Sequence, residues 1–280
     1  MEEKKRNTTV WIVVAVIAVI LCCAGILVVV AAAGWFAVAS STVLQITSTE
    51  QQRMLVTEPT LLEVRNSVGD VIVVPGAEGE LIVDVTKKVT GPNQAARERL
   101  MAELSVEVTQ QGDRIVVTVS QPLKIGIGAS ASVDLEIRTP GNTSLEAETG
   151  VGNVEVRRLT GDFWVRSSVG DVILTDVNPQ DRLEARSSSG GVRFQGSLPA
   201  SGQPTFESSV GDVELELPAD ASFYLDAKTD VGSIDCDFEI SSRQQKEKAV
   251  GDELQGTVGT APQVTLFVRT STGSISIKIQ

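Results

Sequence analysis

Three sets of side chains in this sequence have types and spacings that chemistry can use. The first is a recurring aspartate. Asp70, Asp171 and Asp212 each follow a glycine within Val-Gly-Asp-Val, and Asn153 holds the same place after Gly152. Oxygen donors repeated at a fixed offset are the raw material of a calcium site. The second set is Glu63, Glu146, Glu184 and Asp226, each six residues ahead of such a glycine. Paired carboxylates on one face are what general acid–base chemistry on glycans requires. The third is Gly126-Ile127-Gly128-Ala129-Ser130-Ala131, which resembles the phosphate loop of dinucleotide sites.

Each set has a plainer reading. Aspartate beside a turn glycine supports the turn through its own side chain, and the aspartate column also contains Gly191, Ser233 and Ser274. The acid column also contains Trp164, Thr205 and Phe267, so no pair of acids is marked out. A dinucleotide loop opens a helix, whereas a strand-like segment follows Ala131. The chain has no histidine, which removes Ser-His-Asp and Cys-His catalysis and histidine-ligated metal. Cys22 and Cys23 lie in an apolar run, leaving Cys236 alone outside it and no internal disulfide framework. Cys236 reads as a small core residue. The expectation is a protein that is not an enzyme, with no catalytic residue and no cofactor. Asp70, Asp171 and Asp212 remain as a weak calcium candidate only.

The elements that position these residues are repeats. Seven copies align on Gly69, Gly152, Gly170, Gly190, Gly211, Gly232 and Gly273, and the central ones recur at 18 to 21 residues. Two residues after the glycine stand Val71, Val154, Val172, Val192, Val213, Ile234 and Ile275. Five before it stand Val64, Ala147, Val165, Ala185, Phe206, Ala227 and Val268. These and the positions two further out alternate as the buried faces of two strands flanking a corner. Three before the glycine the residue is Asn, Ser or Thr, and four before it is always charged. The glycine supplies a positive φ at the corner. Val250-Gly251-Asp252 has the tripeptide without the columns, since Gln244, Lys246, Glu253 and Gln255 would occupy its core.

A Gly-Asp corner also signals a hairpin, which would give an antiparallel meander or sandwich. Identical columns recurring in the same order favour stacked coils instead. The expected fold is all-β: a β-solenoid, single-stranded β-helix-like, with rungs of about 20 residues, preceded by one N-terminal transmembrane helix. Within it, residues 75–140 form an insertion. That insertion holds a strand at Leu81–Val85, a short helix capped by Asn93, a hairpin about Gln111-Gly112-Asp113, and a strand through Val133, Leu135 and Ile137. Residues 241–263 are expected as a charged loop.

The transmembrane expectation rests on Val10–Ala39, which carries no charge and exceeds the roughly 20 apolar residues a bilayer needs. It is also longer than the core of a cleaved signal peptide. Met1–Thr9 carries Lys4, Lys5 and Arg6, and the next basic residue is Arg53, so the tail is expected in the cytoplasm and the rest outside. The domains are then a tail (1–9), a transmembrane helix (10–39), a juxtamembrane linker (40–60) and a repeat ectodomain (61–280). The chain carries a net charge of −12 and the tail +1, leaving −13 beyond the membrane. Such a surface repels phosphate backbones and argues against a nucleic-acid partner.

An N-terminal anchor followed by Leu-x-Val/Ala-x-Ser/Thr-x-x-Gly-Asp/Asn-Val-x-Val copies resembles the bacterial putative-adhesin family of β-strand repeat proteins, of the domain of unknown function 4097 type. The resemblance runs from about Leu61 to Gln280 and is carried by Ser67–Val71, Ser167–Val172, Ser208–Val213, Thr229–Ile234 and Thr272–Ile275. It implies a β-helix-like ectodomain and carries no catalytic residues. The functional expectation is a single-pass membrane protein of the cell envelope, presenting a binding, adhesin-like or structural surface to a protein or glycan. Trp164, Phe267, Arg166 and Arg186, outward by strand parity, are the candidate surface contacts. The alternative is an accessory protein of envelope stress signalling, which would need the anchor and tail themselves.

Overall fold

The computed structural model describes residues 45–56, 60–122, 127–247 and 250–280. The expected tail, transmembrane helix and signal-peptide alternative lie outside the described residues. Among the described residues, no helix is long and apolar enough to cross a membrane. In chain order the first elements are β1 (Gln45–Leu55), β2 (Thr60–Val68), β3 (Val71–Pro75), β4 (Glu80–Thr90) and α1 (Gln94–Glu103). There follow β5 (Ser105–Gln111), β6 (Arg114–Ser120), β7 (Ser130–Thr139), β8 (Thr143–Val151), β9 (Val154–Arg157) and β10 (Thr160–Val169). Then come β11 (Val172–Ser189), β12 (Val192–Gly196), β13 (Thr205–Val210), β14 (Val213–Leu217) and β15 (Phe223–Val231). The last are β16 (Ile234–Cys236), β17 (Ser241–Glu247), β18 (Asp252–Val258), β19 (Thr265–Thr272) and β20 (Ile275–Ile279).

Each aligned glycine joins a strand of one ladder to a strand of the other. Ladder B runs β6-β2-β8-β10-β11-β13-β19-β15 in parallel register, so that Leu62 lies beside Leu145 and Leu145 beside Phe163. Ladder A runs β7-β3-β9-β11-β12-β14-β20-β16, also parallel, with Val71 beside Val154 and Val154 beside Val172. The inner columns of both ladders form one core, in which Val64, Val71, Ala147, Val154, Val165 and Val172 are fully buried. Small and large residues alternate across neighbouring strands. Ala185 sits beside Phe206, whose ring meets Phe194 at 5.0 Å. This is how a narrow interior reaches native packing density.

The expected single-stranded β-helix-like solenoid, with rungs stacked in chain order, is not what forms. β11 belongs to both ladders, and hydrogen bonds join all 20 strands into one barrel-like sheet, nearly closed around the core. At the seam Gln52 Nε2 reaches from β1 to Val106 O on β5, at 3.2 Å. Chain order is also broken. The copy at Gly273 (β19–β20) lies between the copies at Gly211 and Gly232, not beyond both. Antiparallel strands then cover the flanks. β1 and β4 extend ladder A beyond β7, β5 pairs with β6, and β18 and β17 continue from β15. The physical reason is edge protection, since a stack in chain order leaves long parallel edges open to other chains.

Three segment expectations change accordingly. The linker at 40–60 contains β1, paired with β4 over its whole length. The charged loop at 241–263 holds the β17–β18 hairpin, with Leu254 and Val258 in the core. The insertion at 75–140 contributes directly to both ladders through β6 and β7. Ile115 and Val117 pair with Leu62 and Val64, and Leu135 and Ile137 with Val71 and Val73. β6 and β7 therefore form an eighth, degenerate copy in which Val133 stands where the others have glycine. Its α1 helix is capped as the sequence indicates, Asn93 Oδ1 accepting from Ala96 N at 2.9 Å.

Candidate functional site

The glycine corner is a hydrogen-bonded spine. The aligned glycines have φ between 134° and 149°, a region open to glycine and strained for other residues. The small polar residue three before each glycine donates across the stack. Ser167 Oγ bonds Gly152 O, Ser187 Oγ bonds Gly170 O and Ser208 Oγ bonds Gly190 O, each at 2.8 Å. Thr270 bonds Gly211 O at 2.9 Å, and Thr229 bonds Gly273 O at 2.8 Å. These hydroxyls satisfy carbonyls that no strand partner reaches.

The aspartate column runs beside this spine, its side chains accepting from the backbone of the next copy where the hydroxyls donate to the backbone of the previous one. Asp70 Oδ1 accepts from Asn153 N at 2.7 Å, and Asn153 Oδ1 from Asp171 N at 2.8 Å. Asp171 Oδ1 accepts from Gly191 N, and Asp212 Oδ1 from Ser274 N, both at 2.7 Å. The weak calcium candidates Asp70, Asp171 and Asp212 thus sit on different copies, each with an oxygen committed to backbone. Among the described residues, no group of three or more acidic or cysteine side chains could hold a metal.

The acid column lies on the outer face of ladder B, and each acid meets arginine. Glu63 and Glu146 are register partners bridged by Arg114, and Glu63, almost fully buried, also pairs with Arg65. The Arg114 guanidinium is held charged above its usual range, chiefly by its hydrogen bond to Glu63. Glu184 pairs with Arg182 at 3.4 Å and Arg186 at 2.9 Å, and Asp226 with Arg269 at 2.8 Å. Each carboxylate of this column is thus ion-paired with at least one arginine. The glycine-rich loop leads into β7 and not into a helix, and its Gly126 lies outside the described residues. Cys236 is half-buried, and burial pushes its thiol above the ordinary range.

Trp164 and Phe267 occupy the same outward column, both half-exposed, with Glu184 and Thr205 between them. Arg166 and Arg182 approach the Trp164 ring at 5.2 and 5.9 Å, and Arg269 approaches Phe267 at 5.9 Å. The charged column two residues along is ordered Arg65, Glu148, Arg166, Arg186, Glu207, Arg269, Lys228 across the ladder. Between this column and the glycine corner runs an open polar groove of about 490 Å³. Its floor includes Ser168, Ser188, Ser209 and Ser271, exposed hydroxyls on four adjacent strands. Arg166 and Arg186 therefore come together in one groove, while Trp164 and Phe267 stand outside its lining. The serine column, two before the glycine, is visible in the sequence. Its adjacency to Arg269 is not, because that needs the exchanged order of the last two copies.

No family model matches this chain, and no curated protein matches it. Among solved structures it is similar to a "putative cell adhesion protein" from Clostridium sporogenes, with 14% identity and a TM-score of 0.48, over 83% of this chain and 100% of that one. It is also similar to a "putative adhesin" from Bacteroides fragilis, with 15% identity and a TM-score of 0.43, over 82% and 97% of the two chains. A third is a "putative lipid binding protein" from Parabacteroides distasonis, with 11% identity and a TM-score of 0.27, over 82% and 97%.

Proposed function

We propose that the chain is a non-catalytic binding module of the bacterial cell envelope, anchored in the membrane through residues 10–39, with the ladder B groove as its binding face. The observation that carries the reading is the groove. Four strands in succession offer an uncommitted hydroxyl beside a charged column, on a rigid sheet and open along its length. A surface of this form suits an extended partner better than a small substrate, which binds in an enclosed, mainly apolar cavity. That the acids of the outer column are engaged by arginines supports the non-catalytic reading. The membrane placement rests on the uncharged run and the basic tail of the sequence alone.

The test is sedimentation. Liposomes carrying the full chain are mixed with isolated cell-wall and capsule polymers and spun down together. Co-sedimentation is expected, and Ser188→Trp, which fills the groove from an exposed position, is expected to abolish it. Equal sedimentation of bare liposomes, or of the Ser188→Trp chain, overturns the reading. Replacing residues 1–39 by an unrelated anchor is expected to leave sedimentation unchanged, whereas its loss would favour the signalling alternative.

A further inference from the structure

We infer that the groove binds a linear polyanion laid across the strands, a polymer bearing sulfate, phosphate or carboxylate groups, with Arg166 as its main anion contact. This rests on the binding-module reading and names the class of ligand.

The groove carries four cations, Arg166, Arg186, Arg269 and Lys228, against three carboxylates, Glu148, Glu207 and Asp230, with a row of hydroxyls between them and the glycine corner. Ser168, Ser188, Ser209 and Ser271 have no hydrogen-bond partner among the described residues, unlike the serines one position earlier that bond glycine carbonyls. Three of the same four strands add a guanidinium. The fourth carries Glu207, which Arg186 engages at 2.9 Å. With Glu207 and Asp230 paired to Arg186 and Lys228, the unpaired groups of the lining are mainly hydroxyl and guanidinium donors, which call for a ligand rich in acceptors.

The state of each arginine picks out the anion subsite. Arg186 has Glu184 and Glu207, and Arg269 has Asp226. Arg166 has no ion-paired carboxylate among the described residues, and its guanidinium lies over the Trp164 ring. It stands between Arg186 and Glu148 in parallel register, each about 4.8 Å away between strands. Like charges directly opposed on a sheet destabilise it. Glu148, in register on its other side, makes no ion pair with it, so the Arg166–Arg186 contact is not closed by a carboxylate on that side. An anion seated between Arg166 and Arg186, with Ser168 and Ser188 donating, relieves the repulsion and gains charge-assisted bonds.

The length of the groove selects a polymer over a single ion. Its lining runs from Glu148 on β8 to Lys228 on β15, six strands or about 24 Å at the usual strand spacing. The remaining surface is acidic and repels free anions. Several linked contacts overcome that repulsion where a lone ion does not.

The full chain, in detergent, is titrated with dextran sulfate, polyphosphate and polygalacturonate, with neutral dextran and sodium sulfate as controls at matched ionic strength. At least one polyanion is expected to bind, weakening as salt rises. Arg166→Ala is expected to weaken it by about tenfold, the worth of one charge-assisted bond. Arg166→Lys, which keeps the charge without the planar fork, is expected to fall between. Arg193→Ala, on the ladder A face, is expected to match the parent chain. The three polyanions separate sulfate, phosphate and carboxylate as the recognised group. Absence of polyanion binding, equal binding by Arg166→Ala, or an equal loss in Arg193→Ala overturns the inference. If polyanions fail while wall polymers still sediment with the chain in a Ser188-dependent way, the binding module stands and only the ligand class falls. If both fail, both fall.

Discussion

At Gly170 the backbone has φ 141°, and an added Cβ would lie 2.1 Å from Gly152 O. That oxygen belongs to the neighbouring copy's backbone, so neither partner can yield without moving a strand. Gly170→Ala is expected to cost about 3 kcal/mol or more, combining backbone strain with overpacking. Gly141→Ala, with nothing within 4 Å of the new atom, is expected to stay within about 0.5 kcal/mol. Denaturant unfolding of the two variants measures the difference. Asp171 makes a second residue-scale case. Asn153 already performs the same task with an amide, so Asp171→Asn is expected to be nearly neutral. Asp171→Ala strands the Gly191 N–H and is expected to cost about 1–2 kcal/mol. If the column is a hydrogen-bonded spine and not a calcium ladder, adding calcium leaves the melting temperature of the parent chain unchanged. Cys236 gives the pH-dependent case. Its thiol is raised by burial, so the folded chain holds the proton more tightly than the unfolded one. The stability this adds is present below the unfolded thiol value and is lost as pH rises through the folded one. In a chain with Cys22→Ser and Cys23→Ser, iodoacetamide at pH 9 is expected to label Cys236 several-fold more slowly when native than when denatured. Equal rates would sink that assignment.

At the scale of elements, Leu254 tests what the β17–β18 hairpin does. It is fully buried on β18, opposite Ala227 of β15. Leu254→Ala is expected to cost about 3 kcal/mol. The amides of β15 are expected to lose hydrogen-exchange protection before those of β10, because β18 alone covers that edge. The same hairpin shows where sequence reading reaches its limit. The parallel pairs were legible, because like residues recur at like offsets: Val71 with Val154, Ser167 with Ser187. The β5–β6 hairpin was legible too, through Gln111-Gly112-Asp113. β17 and β18 were not, since Ser241–Glu247 has no apolar alternation and pairs through backbone and polar side chains, with a register shift between Ser241 and Gln244. The degenerate copy in β6 and β7 was hidden for another reason. Its two strands are separated by residues 121–129, and Val133 replaces the glycine that anchors the alignment. Of the groove, the columns could be seen and their order could not, because pairing between distant copies leaves no mark on local periodicity.

For the whole molecule, the exchanged order of the last copies has a consequence that chain-order stacking does not share. β19 hydrogen-bonds β13 on one side and β15 on the other, and β20 does the same between β14 and β16. Residues 265–280 thus form an interior layer of the wall. Removing them opens four strand edges at once and exposes the core beneath Leu266, Val268, Ile275 and Ile277, all essentially fully buried. Burying a side chain of that size is worth about 1.5–3 kcal/mol, so losing four exceeds a large part of the 5–15 kcal/mol that holds an ordinary domain together. A full chain truncated after Val264 is expected to aggregate or to lose protection throughout β13 to β18. Had the copies stacked in chain order, the same cut would trim an end layer and leave β15 paired with β13. Hydrogen exchange on the truncated chain separates the two: protected amides in β15 and β16 would refute the interior placement of β19 and β20. Their loss, with protection kept in β8 and β10, supports it. The groove would fail with the same cut, since Arg269 and Ser271 leave with β19 while Arg166 remains, and polyanion affinity in any folded remainder would report that loss directly.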